Sequence, residues 1–184
     1  NTISGGFNDN LRVVNSSGTL NRITIENNQF GLNDFTWGNA SLTLEGAGSA
    51  AMYMTVQNNT FQGARCDVVQ AVMNDTTTSE FIARGNNIYN THLSKLSGCG
   101  NLFYGGGGNN SAPTGRFLIE NNLITGSRST ALNVFKGGGT SNGGDFQGTI
   151  RNNTIGDLAI PNSGSAEATG INVELRGGGL MIAR

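Results

Sequence analysis

Apolar and polar residues alternate with period two over short stretches of this chain, and the alternation restarts each time after a pair of amides. In "ITIENNQF", from Ile23 to Phe30, two isoleucines one residue apart are followed by two asparagines and a further apolar side chain. The pattern returns in "MTVQNNTF", "FIARGNNIY", "FLIENNLI" and "GTIRNNTI". Period two sends successive side chains to opposite faces of a strand, so each copy predicts strand, tight corner, strand. A further alternating run occurs in each repeat: "LRVV" from Leu11, "LTLE" from Leu42, "VVQAV" from Val68, "LFY" from Leu102, "LNVF" from Leu132 and "INVEL" from Ile171. That makes three short strands per copy and no helix.

The copies return about every 30 residues, which is the signature of a solenoid with loops of variable length. A leucine-rich repeat also carries a turn asparagine, but it needs several leucines at fixed spacing and a period of roughly 20 to 29 residues. The reading that remains is a three-faced coil in which each strand pairs with its counterpart one turn above. Stacking at about 4.8 Å lines the amide pairs up at one corner. The predicted ladder comprises Asn27 and Asn28, Asn58 and Asn59, Asn86 and Asn87, Asn121 and Asn122, and Asn152 and Asn153, with the second member of each pair as the repeating column and Asn1 matching its tail. A carboxamide carries donor and acceptor together, so such a ladder can continue indefinitely. Asparagine also tolerates the left-handed backbone of a tight corner.

The same register predicts the core. Ile23, Ile25, Met54, Val56, Phe117, Ile119 and Ile150 point inward before the corner, and Ile3, Phe30, Phe61, Tyr89, Ile124 and Ile155 point inward after it. In "FIARGNN" the copy has one extra residue before its asparagine pair, so Phe81 and Ala83 face inward and Gly85 is predicted to form a bulge.

With five "NN" corners and their flanking alternation, the whole chain resembles the right-handed parallel β-helix of the pectate-lyase-like class. It looks most like the β-helix regions of large secreted and surface proteins of bacteria. The resemblance implies an all-β, right-handed parallel β-helix of about six coils with three short strands each and an asparagine ladder at one corner. Residues 1–184 are expected to form one domain. The chain starts just inside a corner and stops in "MIAR", short of the next, so it is expected to be an uncapped segment of a longer solenoid.

Composition narrows the partners. The formal charge is -1, so no strong field draws the chain to nucleic acid or an anionic membrane. Charged residues make up only 12%, and neutral polarity comes from Asn, Ser and Thr among 29 glycines. No apolar run approaches the roughly 20 residues that span a bilayer. The stretches "GGGG" from Gly105 and "GGTSNGGDF" lack the spacing of a calcium-binding nonapeptide and are read as corner loops. Cys66 and Cys99 both precede a first strand in consecutive turns. Stacked positions fall within the Cα separation of about 4.4 to 6.8 Å that a disulfide allows; the alternative is two unrelated buried thiols.

Enzymes of the resembled class place their chemistry on the outer face of the first strands, as paired aspartates or an acidic calcium cluster with a nearby arginine. The outward positions there are Arg12, Thr43, Glu45, Gln70, Asn133, Asn172 and Glu174. Glu45 and Glu174 fall several turns apart, beyond the roughly 5 to 9.5 Å of a glycosidase pair, and Asp67 has no evident carboxylate partner. These three are the least poor catalytic candidates in a chain expected to be non-catalytic, without metal or cofactor. His92, the single histidine, is read as solvated in its loop. Trp37, two residues after Phe35, is read as packing over the coil, with glycan stacking as the alternative. The column Thr24, Thr55, Thr149, broken by Ala83 and Leu118, is too interrupted for an ice-binding face. Glu26, Gln57, Arg84, Glu120 and Arg151 form a polar column that supports register.

The function expected is a non-catalytic structural or adhesive segment of an exported bacterial surface protein, located outside the cell or on its surface. The alternatives are a polysaccharide lyase or glycoside hydrolase, or a glycan-binding module. Expected partners are a polysaccharide or neighbouring surface chains, with no nucleic acid and no membrane insertion within this segment.

Overall fold

The computed structural model of the chain describes residues 1–106, 111–137 and 144–184. Among these it contains three parallel sheets of six strands each, wound as a solenoid of about six coils, and no helix. The first-strand sheet comprises β2 (Leu11–Asn15), β5 (Leu42–Gly46), β8 (Val69–Met73), β11 (Leu102–Gly106), β14 (Leu132–Lys136) and β17 (Ile171–Leu175). The sheet leading into the corner comprises β3 (Thr19–Glu26), β6 (Ala51–Gln57), β9 (Thr78–Arg84), β12 (Thr114–Glu120), β15 (Asp145–Arg151) and β18 (Leu180–Ala183). The short strands after the corner are β1 (Thr2–Ile3), β4 (Gln29–Phe30), β7 (Thr60–Phe61), β10 (Asn87–Tyr89), β13 (Leu123–Thr125) and β16 (Thr154–Ile155). Each strand pairs with the strand one coil away, as the period-two pattern requires. The expectation for the glycine clusters falls mainly on residues 107–110 and 138–143, outside the described residues.

The corner is built from two positions with different duties. The first takes a left-handed conformation: Asn27, Asn58, Asn121 and Asn152 have φ of 57, 54, 55 and 54°. Their side chains are exposed and are not rungs of the ladder. The second position supplies the rungs. Asn1 donates from Nδ2 to Asn28 Oδ1 at 2.9 Å, and the chain continues from Asn28 to Asn59, Asn59 to Asn86, Asn86 to Asn122 and Asn122 to Asn153 at 2.9–3.1 Å. Each Nδ2 uses its other hydrogen on a main-chain carbonyl, as in Asn59 to Ile25 O at 2.8 Å and Asn86 to Val56 O at 2.9 Å. From Asn59 to Asn153 each acceptor oxygen also takes a main-chain N–H, as Asn86 Oδ1 does from Asn59 N at 3.0 Å. An interior rung therefore has every donor and acceptor occupied while buried, the condition under which such groups stabilise rather than cost.

The third repeat corrects the sequence reading. Its rung is Asn86, not Asn87, because Gly85 occupies the left-handed position at φ 63°. Arg84 pairs with Gln57 on one side and Glu120 on the other without a register shift, so there is no bulge at Gly85. Asn87 instead begins β10, level with Thr60 and Leu123. The inward residue after the corner is then Ile88, fully buried between Phe61 and Ile124, and Tyr89 points outward. The observed irregularity lies between Leu20 and Ile23, where Arg22 has φ 43°.

Inside, aromatic side chains stack both within a column and between sheets. Phe30 and Phe61 lie face to face with centroids 4.5 Å apart, and Tyr104 is stacked between Phe81 at 5.1 Å and Phe146 at 5.0 Å. The Tyr104 hydroxyl reaches Ser79 Oγ at 2.8 Å, and burial drives its pKa far above that of a free phenol. Tyr104→Phe keeps the stack but orphans the serine, so a loss of about 1–2 kcal/mol is expected in denaturant unfolding, with no change in strand content. The inward side chains of the last coil, Ile171, Val173 and Leu175, are about two-fifths exposed at 43, 41 and 40%.

The polar column beside the corner follows the predicted register. Gln57 Nε2 donates to Glu26, Arg84 Nε to Gln57 Oε1 at 2.8 Å, and Arg151 Nε to Glu120 Oε2 at 2.8 Å. In the neighbouring threonine column the interrupting residues are Ile82 and Leu118, because Ala83 faces the core.

Candidate functional sites

On the outer face of the first-strand sheet, the register makes two columns. One runs Arg12, Thr43, Gln70, Phe103, Asn133, Asn172; the other runs Val14, Glu45, Val72, Gly105, Phe135, Glu174. Neither glutamate has a carboxylate beside it in these columns. Glu45 is ion-paired to Arg12 at 2.5 Å. Glu174 accepts from Arg176 Nε at 2.5 Å and from Asn172 Nδ2 at 3.3 Å, while the Arg176 guanidinium lies 5.4 Å from the Phe135 ring centre. Glu45 on β5 and Glu174 on β17 are four strands apart, about 19 Å at the ordinary strand spacing.

Asp67 stands at the entrance to β8. Its Oδ1 accepts the Gly100 N–H at 2.6 Å, beside the Cys66–Cys99 disulfide, whose Cα atoms are 4.8 Å apart. Burial raises its carboxyl pKa, and the Gly100 hydrogen bond opposes this only in part. A carboxyl whose folded pKa is raised contributes stability below its unfolded pKa of about 3.9 and loses it as pH rises through the higher folded value. Asp67→Asn retains an acceptor for Gly100 without the buried charge. Thermal unfolding should therefore show the variant melting higher than the wild type at pH 7, with the gap closing at pH 3; an equal gap at both pH values would contradict this.

His92 is not solvated. It is 1% exposed, its ring stacks on Phe35 at 4.7 Å, and its Nδ1 accepts the Ser94 N–H at 3.2 Å. Desolvation lowers its pKa, so the ring is neutral at pH 7. Trp37 is 65% exposed and its nearest aromatic partner is Phe7, with centroids 6.4 Å apart, so it stands off the coil rather than packing over it.

Two features had no clear sequence signal. Lys136 occupies an inward position, level with Gly106 and Leu175, and is fully buried. Its Nζ donates to Gly137 O at 3.3 Å and Gly178 O at 3.1 Å, and desolvation lowers its pKa against the pull of Asp145. A second set of buried asparagines laces the loops between the short strands and the first strands. Asn33 Nδ2 donates to Asn8 O and Asn39 O, Asn90 Nδ2 to Ala64 O, and Asn101 Nδ2 to Thr125 O. These fall at no fixed offset from the corner.

Among the described residues no cluster of three or more His, Cys, Asp or Glu could hold a metal ion, and no helix is long and apolar enough to cross a membrane. In comparisons with family models, curated proteins and solved structures, nothing matches this chain.

Proposed function

We propose that the chain is a non-catalytic β-solenoid shaft of an exported bacterial surface protein, holding apart or presenting what it connects. The observation that carries this reading is the amide ladder, unbroken from Asn1 to Asn153. Bonds that link successive corners along one line resist bending and shear, which suits a spacer. The two glutamates on the first-strand face support it too, since each is bound to an arginine. The disulfide fits an extracellular or cell-surface location, where such bonds persist. On this reading the partners are neighbouring surface chains or a polysaccharide, and the exposed Trp37 is a candidate glycan contact.

A polysaccharide lyase or hydrolase is the second reading, favoured by one observation: the raised carboxyl pKa of Asp67 on the rim of the first-strand sheet. Incubation with acidic and neutral polysaccharides, followed by reducing-end and unsaturated-product assays, separates the two. The shaft predicts no turnover. Turnover abolished by Asp67→Ala would establish the enzyme instead.

A further inference from the structure

The outer face of the short-strand sheet has a trough that neither reading uses. Its two lobes, of about 190 and 520 Å³, share Thr2, Gly31 and Gln62. Ligand clefts generally occupy roughly 300–1,000 Å³ and combine a few placed polar groups with aromatic walls. Gly31 lines both lobes, and Ser4 packs so closely against it that no larger residue fits there. A Cβ there would lie 2.6 Å from Ser4 Cβ and 3.6 Å from Gln62 Oε1, so the main chain forms the floor and a carboxamide lies beside it. Gln29 and Thr60 add a neutral amide and a hydroxyl in the smaller lobe, which Tyr89 closes. Phe35, 47% exposed and backed by the His92 ring, borders the larger lobe.

The lining restricts what could bind. No cation lines either lobe, and the one formal charge is the Asp34 carboxylate. Asp34 accepts the N–H groups of Thr36 and Trp37 at 2.7 Å, which lower its pKa and keep it ionised, so phosphates and uronates would meet a like charge. An added peptide strand is disfavoured because β4 is already paired on both sides, with β1 and β7. A purely apolar ligand would strip water from Gln29, Thr60 and Gln62 without replacing its hydrogen bonds. What fits is a molecule with hydroxyls on its edges and C–H groups on its faces. The outward side chains repeat at the strand spacing of about 4.8 Å, a pitch close to the length of one sugar ring.

We propose that this trough is a binding site for a neutral oligosaccharide, held by the Gln62 and Gln29 amides and stacked on Tyr89 and Phe35. The site lies on a different sheet from the first-strand face and does not depend on the shaft reading. The test is an NMR titration of the full labelled chain with cellohexaose, mannohexaose and a β-linked galactohexaose, against hexagalacturonate as the acidic control. At least one neutral sugar should produce saturable shifts at the Gly31, Gln62 and Tyr89 amides at millimolar concentration. Gln62→Ala and Tyr89→Ala should each weaken that binding about tenfold, the loss of one good contact. Both side chains point outward, so the other amide shifts report intact folding. The proposal is overturned if no neutral sugar saturates, if neither variant weakens binding, if hexagalacturonate binds as well, or if binding is lost only in Trp37→Ala. Turnover in the polysaccharide assays would reject the shaft and leave this site standing; absence of sugar binding would reject this site and leave the shaft standing.

Discussion

Asn86→Ala should lower the unfolding free energy by about 3–5 kcal/mol, while Asn87→Ala, one residue away, should change it by less than about 0.5 kcal/mol. The asymmetry follows from what each side chain touches. Asn86 Oδ1 accepts from both the main-chain N and the Nδ2 of Asn59, and its own Nδ2 donates to Val56 O and Asn122 Oδ1. Truncation orphans two buried donors and a carbonyl in the middle of the solenoid, each at about 1–3 kcal/mol. Asn87 is only partly buried, and the main-chain bond from its N to Asn59 O at 2.9 Å survives substitution. Asn86→Asp should be nearly as damaging at pH 7, because a carboxylate keeps the acceptors but cannot donate to Val56 O. Urea titrations of the three variants measure this directly. Equal losses at 86 and 87 would mean that the corner is misassigned.

The Cys66→Ala/Cys99→Ala double variant should be about 3–4 kcal/mol less stable than the wild type, the loop-closure value for a sequence separation of 33 residues. The bond ties the entrances of β8 and β11 in consecutive coils, where the loops leading in have no other covalent restraint. Neither half-cystine should react in a thiol assay of the native protein. Adding reductant should lower the wild-type unfolding midpoint toward that of the double variant and leave the variant's midpoint unchanged. Two reactive thiols in the native chain would contradict the bridge.

The fold was legible because it is periodic. Alternation at "ITIE", "MTVQ" and "FLIE" specifies which side chains face inward, and a one-residue slip would turn each set outward. Reading "NN" as the corner's marker succeeded four times and failed once. The corner requires a left-handed residue followed by a rung, and glycine meets the first requirement as well as asparagine does. In "RGNN" the asparagine pair therefore lies one residue past the corner, and taking it as the corner carries Tyr89 inward in place of Ile88. Arg84 held the correcting signal, because placing it level with Gln57 and Glu120 leaves Asn86 as the rung.

What is not periodic was not legible. His92 is buried because Phe35, from a distant loop, covers it. Trp37 stands exposed on a loop stacked over that of the preceding coil, beside the equally exposed Phe7. Lys136 lies inward at the end of a run read only as far as Phe135, at a position taken by Met73 in another coil, and two main-chain carbonyls receive its ammonium. The trough along Gly31 depends on a tight glycine–serine contact and a loop wall beside it, neither of which any alternation encodes.

The stacking of the coils depends most on which amides hydrogen-bond to one another along the corner. The most direct measurement is hydrogen exchange of the asparagine side-chain NH₂ groups by NMR. The rungs Asn59, Asn86 and Asn122 should retain protons far longer than Asn58, Asn87 and Asn121. Fast exchange at Asn86 with protection at Asn87, or rapid exchange at all six, would contradict the ladder described above.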